Sequence, residues 1–182
     1  MKTIDFKKNI KKSIFQFFIL MGSIALLFLL ISKLPIRINL TPSVKKGIYI
    51  LKSPNNLKNG DYIAVCLSKD LSKRIYDMGY IRKGSDCHGQ YEALLKKIIA
   101  TPKDKIQIIN HYVFINGKNT KLKIKTLDRK NHPIPSTNFR NKFTLNGFWV
   151  IGDNHPDSYD SRYFGQVSTN QILYKASPWI LF

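Results

Sequence analysis

The hydrophobic pattern divides the chain in two. Residues 13–32, SIFQFFILMGSIALLFLLIS, run for twenty positions without a charge. At about 1.5 Å rise per residue a helix of that length measures roughly 30 Å, the thickness of a hydrocarbon core. A cleaved signal peptide has a shorter apolar region, about 7–15 residues, ending in a small-x-small site. The following SKLPIRINL offers no such site, so the segment is predicted to stay as a single transmembrane anchor. Lys2, Lys7, Lys8, Lys11 and Lys12 precede it, whereas only Lys33 and Arg37 follow closely. The positive-inside rule then leaves residues 1–12 in the cytoplasm and residues 33–182 on the outer face of the cytoplasmic (inner) membrane, in the periplasm or its equivalent.

Beyond the anchor the apolar residues come in short runs, at 47–51, 62–67, 105–109, 112–115 and 148–151, rich in Ile, Val, Tyr and Phe. Turn signals separate them, among them Asn59-Gly60-Asp61, Asn116-Gly117, Asn146-Gly147 and residues 152–154. Such runs predict strands, and residues 112–115 followed by Asn-Gly predict a hairpin. Residues 94–104 read as another apolar strand, interrupted by Lys96 and Lys97. Two stretches are predicted helical, 68–78 before Gly79 and 171–174. The expected fold is mainly β, an antiparallel sheet domain behind one N-terminal transmembrane helix.

Composition narrows the function classes. The chain has 182 residues with 30 Lys+Arg against 11 Asp+Glu, a net charge of +19. With 43% hydrophobic residues it is too apolar for a disordered basic tail. Glu92 is the single glutamate and Cys66 and Cys87 the only cysteines, so neither a carboxylate cage nor a four-ligand zinc site has enough material. No metal and no cofactor are expected. In an exported domain the cysteines are expected to pair, and closing that loop contributes about 3 kcal/mol in the chain-entropy model. Residues 118–142 carry many bases and one acid, Asp128, with Phe139 the lone aromatic. That composition predicts a solvated basic insertion, with anionic lipid head groups as a variant and no specific nucleic acid.

Three segments carry chemistry. Ser43 lies shortly after the anchor, following Pro42. Lys96 and Lys97 each have Leu and Ile two residues away on their own strand face, so periodicity leaves them tied. Either is a poor base near its reference pKa of about 10.4 until desolvation lowers it. In an extended reading of residues 152–165, Ser158, Asp160 and Arg162 face one way, letting the acid and base pair beside a serine. Each feature has a plain structural reading: a strand start, a snorkelling lysine, a hairpin turn. A Ser-His-Asp arrangement using His88, His111, His132 or His155 lacks a G-x-S-x-G context.

Taken together and in this order, these segments resemble the three boxes of the signal peptidase I superfamily (peptidase S26). Gly152, Asp153, Asn154, Ser158, Asp160, Ser161 and Arg162 match its G-D-N-x-x-x-S-x-D-S-R box at every defined position. Ser43-x-x-Lys-Gly-Ile-Tyr, the two cysteines with Gly79-Tyr80 between them, and Asp160-Ser-Arg-Tyr-Phe-Gly165 are most similar to the conjugative-transfer peptidases of the TraF type. Lys45 stands where proline is usual and Lys103 where glycine is usual.

The resemblance implies a signal-peptidase-type catalytic domain with Ser43 as nucleophile and Lys96 as general base. It implies oxyanion donors from the Ser43 N–H and the Thr41 hydroxyl, a Ser158 that orients the lysine, Asp160 and Arg162 that hold their segment, and a structural Asp153. The function expected is a membrane-bound serine endopeptidase acting on an exported precursor, such as a pilin or another conjugation or type IV secretion substrate, with membrane lipid as its other partner. A general type I signal peptidase is one alternative. A non-enzymatic basic tether in a DNA-transfer or export apparatus is the alternative from another class, and it has no use for Ser43 and Lys96 together. Self-cleaving repressors of the LexA kind share the Ser/Lys dyad but need no anchor.

Overall fold

The computed structural model describes residues 2–32, 34–136 and 141–182. Lys33 and residues 137–140, with Phe139 of the basic stretch, lie outside the described residues. Two compact units result, residues 1–35 and Ile36–Phe182. The first is a single helix, α1 (Lys2–Ser32). Its stretch Lys12–Leu30 is long and apolar enough to cross a membrane, and its side chains are unburied. The helix begins well before the apolar run, because Lys is a good helix former and no proline intervenes before Pro35.

The second unit is built of β1 (Ile36–Asn39), β2 (Gly47–Lys52), β3 (Tyr62–Val65), α2 (Lys69–Asp77), β4 (Lys83–Cys87) and β5 (Leu94–Ala100), then β6 (Lys105–Ile109), β7 (Tyr112–Ile115), β8 (Lys118–Lys123), β9 (Lys142–Thr144), β10 (Trp149–Ile151), α3 (Ser161–Phe164) and β11 (Ile172–Leu181). Six strands form one sheet in the order β1-β2-β11-β3-β5-β10, and four form a second in the order β8-β7-β6-β9. Every pairing is antiparallel, as expected from the short connections. The Asn116-Gly117 turn has both residues at positive φ, 51° and 80°, which is the conformation a two-residue hairpin requires. The larger core gathers Ile63, Val65, Ile98 and Val150 from the first sheet with Tyr159, Tyr163 and Phe164. The smaller one packs Ile106 and Val113 against Leu145 and Trp149.

Three sequence expectations need correction. Residues 171–174 are not a helix: a single 3-10 turn at Thr169–Gln171 ends there, and Ile172 opens β11. β11 runs between β2 and β3, so its β-branched and aromatic residues are claimed by two strand partners. Residues 62–67 stop pairing at Val65. The basic stretch, expected to be a solvated loop, begins as strand β8, and its continuation is fastened to the larger core. Tyr159 Oη donates to the Pro135 carbonyl at 2.7 Å, and Lys125 and Arg129 both pair with Asp157. Its lysine side chains are exposed, but backbone hydrogen bonds of Ile124, Asp128 and Ile134 hold the part between 118 and 136.

Candidate active site

Strand β1 turns back into β2 with Asn39 opposite Gly47, so residues 40–46 form the connection that carries Ser43. Asn39 organises this turn. Buried at 4% exposure, its Nδ2 donates to the carbonyls of Thr41, Val44 and Lys45 at 3.0, 3.3 and 3.1 Å. Its Oδ1 accepts from the Thr41 N–H at 3.3 Å and from Thr41 Oγ1 at 2.7 Å. Thr41 Oγ1 lies 3.4 Å from Ser43 Oγ. Sequence reasoning missed Asn39; an Asx residue entering a turn was the only signal. From the other side, Asn154 donates its backbone N–H to the Ser43 carbonyl and its Nδ2 to the Pro42 carbonyl, both at 3.1 Å.

Strand β5 lies between β3 and β10, with Lys96 opposite Ile63 and Ile98 opposite Val150. Alternation therefore sends Lys96 into the larger core, where it is 2% exposed. Its Nζ donates to Ser158 Oγ at 2.6 Å. Burial pushes the lysine pKa down to about 8; Asp160 opposes the shift and Arg162 adds to it. Lys97 leaves on the other face, where its Nζ sits 3.1 Å from Asp153 Oδ2 and 5.6 Å from the Tyr62 ring centre. The tie left by periodicity is broken by burial.

The third segment is not extended, as the sequence reading assumed. Asp160 instead caps the short helix α3, yet the pair forms: Arg162 Nε and Nη2 donate to its two carboxylate oxygens at 2.8 and 2.9 Å. The same carboxylate accepts the Gly152 N–H at 3.0 Å, and Arg162 reaches the carbonyls of Ser158 and Pro156 at 3.0 and 3.1 Å. Asp160 is fully buried, so this network fixes Ser158 from within the fold. Gly152 is where the segments converge: a Cβ there would fall 2.0 Å from Ser158 Oγ and 2.8 Å from the Ser43 carbonyl. Asp153 accepts the Tyr62 hydroxyl at 2.8 Å as well as the Lys97 pair.

Thr41, Ser43, Lys96 and Ser158 line one cleft of about 410 Å³. Among the described residues no hydrogen bond joins Ser43 to Lys96; the amine rests on Ser158 instead. Cys66 and Cys87 form a disulfide. Next to it, Asp86 accepts Arg37 Nη1 and the Ala93 N–H, both at 3.0 Å, which steadies the chain entering β5 along the cleft wall. Lys103, where glycine is usual, adopts φ 79°, so the left-handed turn is retained with a side chain in it. His155 also lines the cleft, but the Asp157 carboxylate is held by Lys125 and Arg129 and does not orient it. Among the described residues there is no cluster of three metal-ligating side chains.

With this geometry in hand, the similarities to known proteins fall into place. The chain is 27% identical over 148 residues to the conjugal transfer protein TraF of Agrobacterium fabrum, spanning 80% of this chain and 82% of that one. It is 30% identical over 153 residues to the plasmid transfer protein TraF of Escherichia coli, spanning 79% and 82%. Similarity to signal peptidase I of Bacillus caldolyticus is 30% over 117 residues, 58% of this chain and 64% of that one. The family of signal peptidases, peptidase S26, matches residues 8–180, and the chain belongs to it.

Proposed function

We propose that the protein is a membrane-anchored serine endopeptidase in which Ser43 is the nucleophile and Lys96 its general base. The observation that carries this reading is an amine buried in an apolar core with a lowered pKa, facing the same cleft as a half-buried serine. In the neutral form Lys96 Nζ accepts the proton of Ser43 Oγ as that oxygen attacks the scissile carbonyl, and then delivers it to the leaving amine. Ser158 holds the amine at rest and Asp160 with Arg162 holds Ser158. The Ser43 N–H and Thr41 hydroxyl receive the oxyanion; Thr41 now donates to Asn39, so its proton must turn toward the cleft as charge develops. Water then releases the acyl group from Ser43.

The five lysines ahead of the apolar run support an N-terminus in the cytoplasm, and the Cys66–Cys87 disulfide supports an oxidising compartment for the catalytic unit. Exposed Ile38, Leu40, Trp179, Ile180 and Phe182, at the ends of β1 and β11 beside the turn that carries Ser43, support contact with lipid. Similarity to the transfer proteins favours a dedicated precursor, such as a pilin or another conjugation substrate, with small residues before the scissile bond. The signal peptidase I match supports general signal-peptide removal as the second reading. The test is Ser43→Ala in membranes carrying a candidate precursor. Cleavage should vanish while insertion and expression persist; full cleavage by the variant would sink the proposal.

A further inference from the structure

Next to the cleft lies a second recess of about 260 Å³, bounded on one side by Tyr80, Tyr159 and Tyr163 and on the other by Leu127 and Ile134 of the basic stretch. Tyr80, His155, Asp157 and Tyr159 line both, so the two spaces adjoin. We propose that this recess is a substrate subsite that takes one aliphatic or aromatic side chain of the precursor, several residues away from the bond cut at Ser43. The inference rests on the peptidase reading above and adds a determinant of which precursor is chosen.

The recess is built. Tyr80 stacks on Tyr159 and Tyr159 on Tyr163, with ring centres 5.5 and 5.4 Å apart. Their hydroxyls are committed to the protein: Tyr159 donates to the Pro135 carbonyl at 2.7 Å, Tyr80 to Asp128 at 3.0 Å, and Tyr163 accepts the Lys125 N–H at 3.4 Å. Tyr159 and Tyr163 are nearly buried by this stack, so what the wall offers a visitor is chiefly the partly exposed Tyr80 ring. Burial raises the Tyr80 and Tyr159 hydroxyls to about 12, so this wall stays uncharged at any working pH. The opposite wall is fixed by the ion pairs of Lys125 and Arg129 with Asp157, which tie the basic stretch to the segment bearing Ser158.

Size and position select the occupant. Sites for free small molecules usually exceed about 300 Å³, so this one suits a single side chain. Because the recess adjoins the cleft, a polypeptide bound at Ser43 can reach it with a side chain several residues along. The rim carries Lys125, Arg129 and Lys130 against Asp128 and Asp157, an excess of one positive charge that favours Glu over Lys beside the docked residue. Leu127, 47% exposed, leaves apolar surface open to be covered.

The experiment uses the full chain in detergent and internally quenched peptides. A parent peptide has alanines around the cleavage point and serine elsewhere; in its relatives one leucine is walked through positions three to ten on each side. In the wild type one register should raise kcat/KM about ten-fold over the parent, since remote binding energy is expressed in the transition state. The ratio of leucine peptide to parent should fall to about one in Leu127→Ser and in Leu127→Ser/Ile134→Ser, and should persist in Lys73→Ala on the exposed side of α2. A flat profile with normal cleavage overturns the subsite and leaves the peptidase standing. A ratio unchanged in both variants also overturns it, placing the preference elsewhere. Absence of cleavage of every peptide overturns the peptidase reading and the subsite with it.

Discussion

Lys96 and Lys97 follow one another on β5, yet the two faces of that strand give the same side chain different chemistries. On one face Lys96 meets Ile63, Ile98 and a network of buried hydrogen bonds ending at Asp160, and its pKa drops to about 8. On the other, Lys97 is half-exposed, pairs with Asp153 and lies near the Tyr62 ring. The first face lowers the pH at which the amine becomes neutral, at a cost in stability. The second uses an ammonium as a fastener: Asp153 neighbours Asn154, which holds the carbonyls of Pro42 and Ser43. Burial sets the amine's pKa on one face, and an ion pair fastens the neighbouring turn on the other.

The largest effect expected separates the two faces by activity. Lys96→Met keeps the volume and removes the amine that donates to Ser158, so under the proposed mechanism kcat/KM should fall by about 10²–10⁴-fold. Lys97→Met should cost under about ten-fold, because Tyr62 still holds Asp153. Kinetics on one peptide substrate check both, and equal losses would break the comparison.

Stability should order the same pair in reverse. The native pKa of Lys96 is about 8 against 10.5 unperturbed, so between those values the unfolded chain binds more protons than the native one. Wild-type stability should therefore rise with pH across that window, by about 3 kcal/mol in total. Below pH 8 the full penalty of the buried ammonium is present, and Lys96→Met should be more stable than wild type; above about 10.5 the gain should be gone. Lys97→Met should lose under about 1 kcal/mol and, still carrying Lys96, should keep the wild-type rise with pH. Denaturant titrations from pH 6 to 10.5 decide it, and the rising limb of kcat/KM should have its midpoint near 8 in the same range. A limb near 10.5 would remove the base from Lys96.

Much of this arrangement was legible in the residues, and the gaps are physical. The strand at 112–115 was readable to the residue because Asn116-Gly117 fixes its turn into β8 locally, whereas its pairing with 105–109 is closed by Asn110-His111, a turn the sequence did not flag. The helix before Gly79 was marked at its start by Ser68, whose side chain accepts the Leu71 N–H. β11 was missed because its identity comes from two distant strands, which no local propensity reports. The same holds at the site. The three boxes could be located from sequence and the family pattern picks Lys96, but the strand's own periodicity did not show which of the two lysines the core covers. Asn39 was missed because its role lies in carbonyls two to six residues along a turn, and α3 was missed because Asp160 signals a cap as readily as a strand position.

The smallest effect expected tests the fastening role of the wet face. Tyr62 Oη donates to Asp153 Oδ2 at 2.8 Å, and Lys97 Nζ sits 3.1 Å from the same oxygen. Tyr62→Phe removes one of two partners and leaves the ring in place beside Tyr49. A hydrogen bond of this kind contributes about 0.5–1.5 kcal/mol net, and part of it is recovered by the remaining lysine and by water. The expected loss is therefore about two- to three-fold in kcat, with KM unchanged, because the turn at residues 152–154 positions Ser43 and Ser158 without touching substrate. In Tyr62→Phe/Lys97→Met the Asp153 carboxylate has lost both, so the double variant should fall further than the two single losses combined. Strict additivity would mean that Asp153 transmits nothing to the Ser43 turn. A Tyr62→Phe defect as deep as that of Lys96→Met would place reactivity on the wet face and overturn the division between the two.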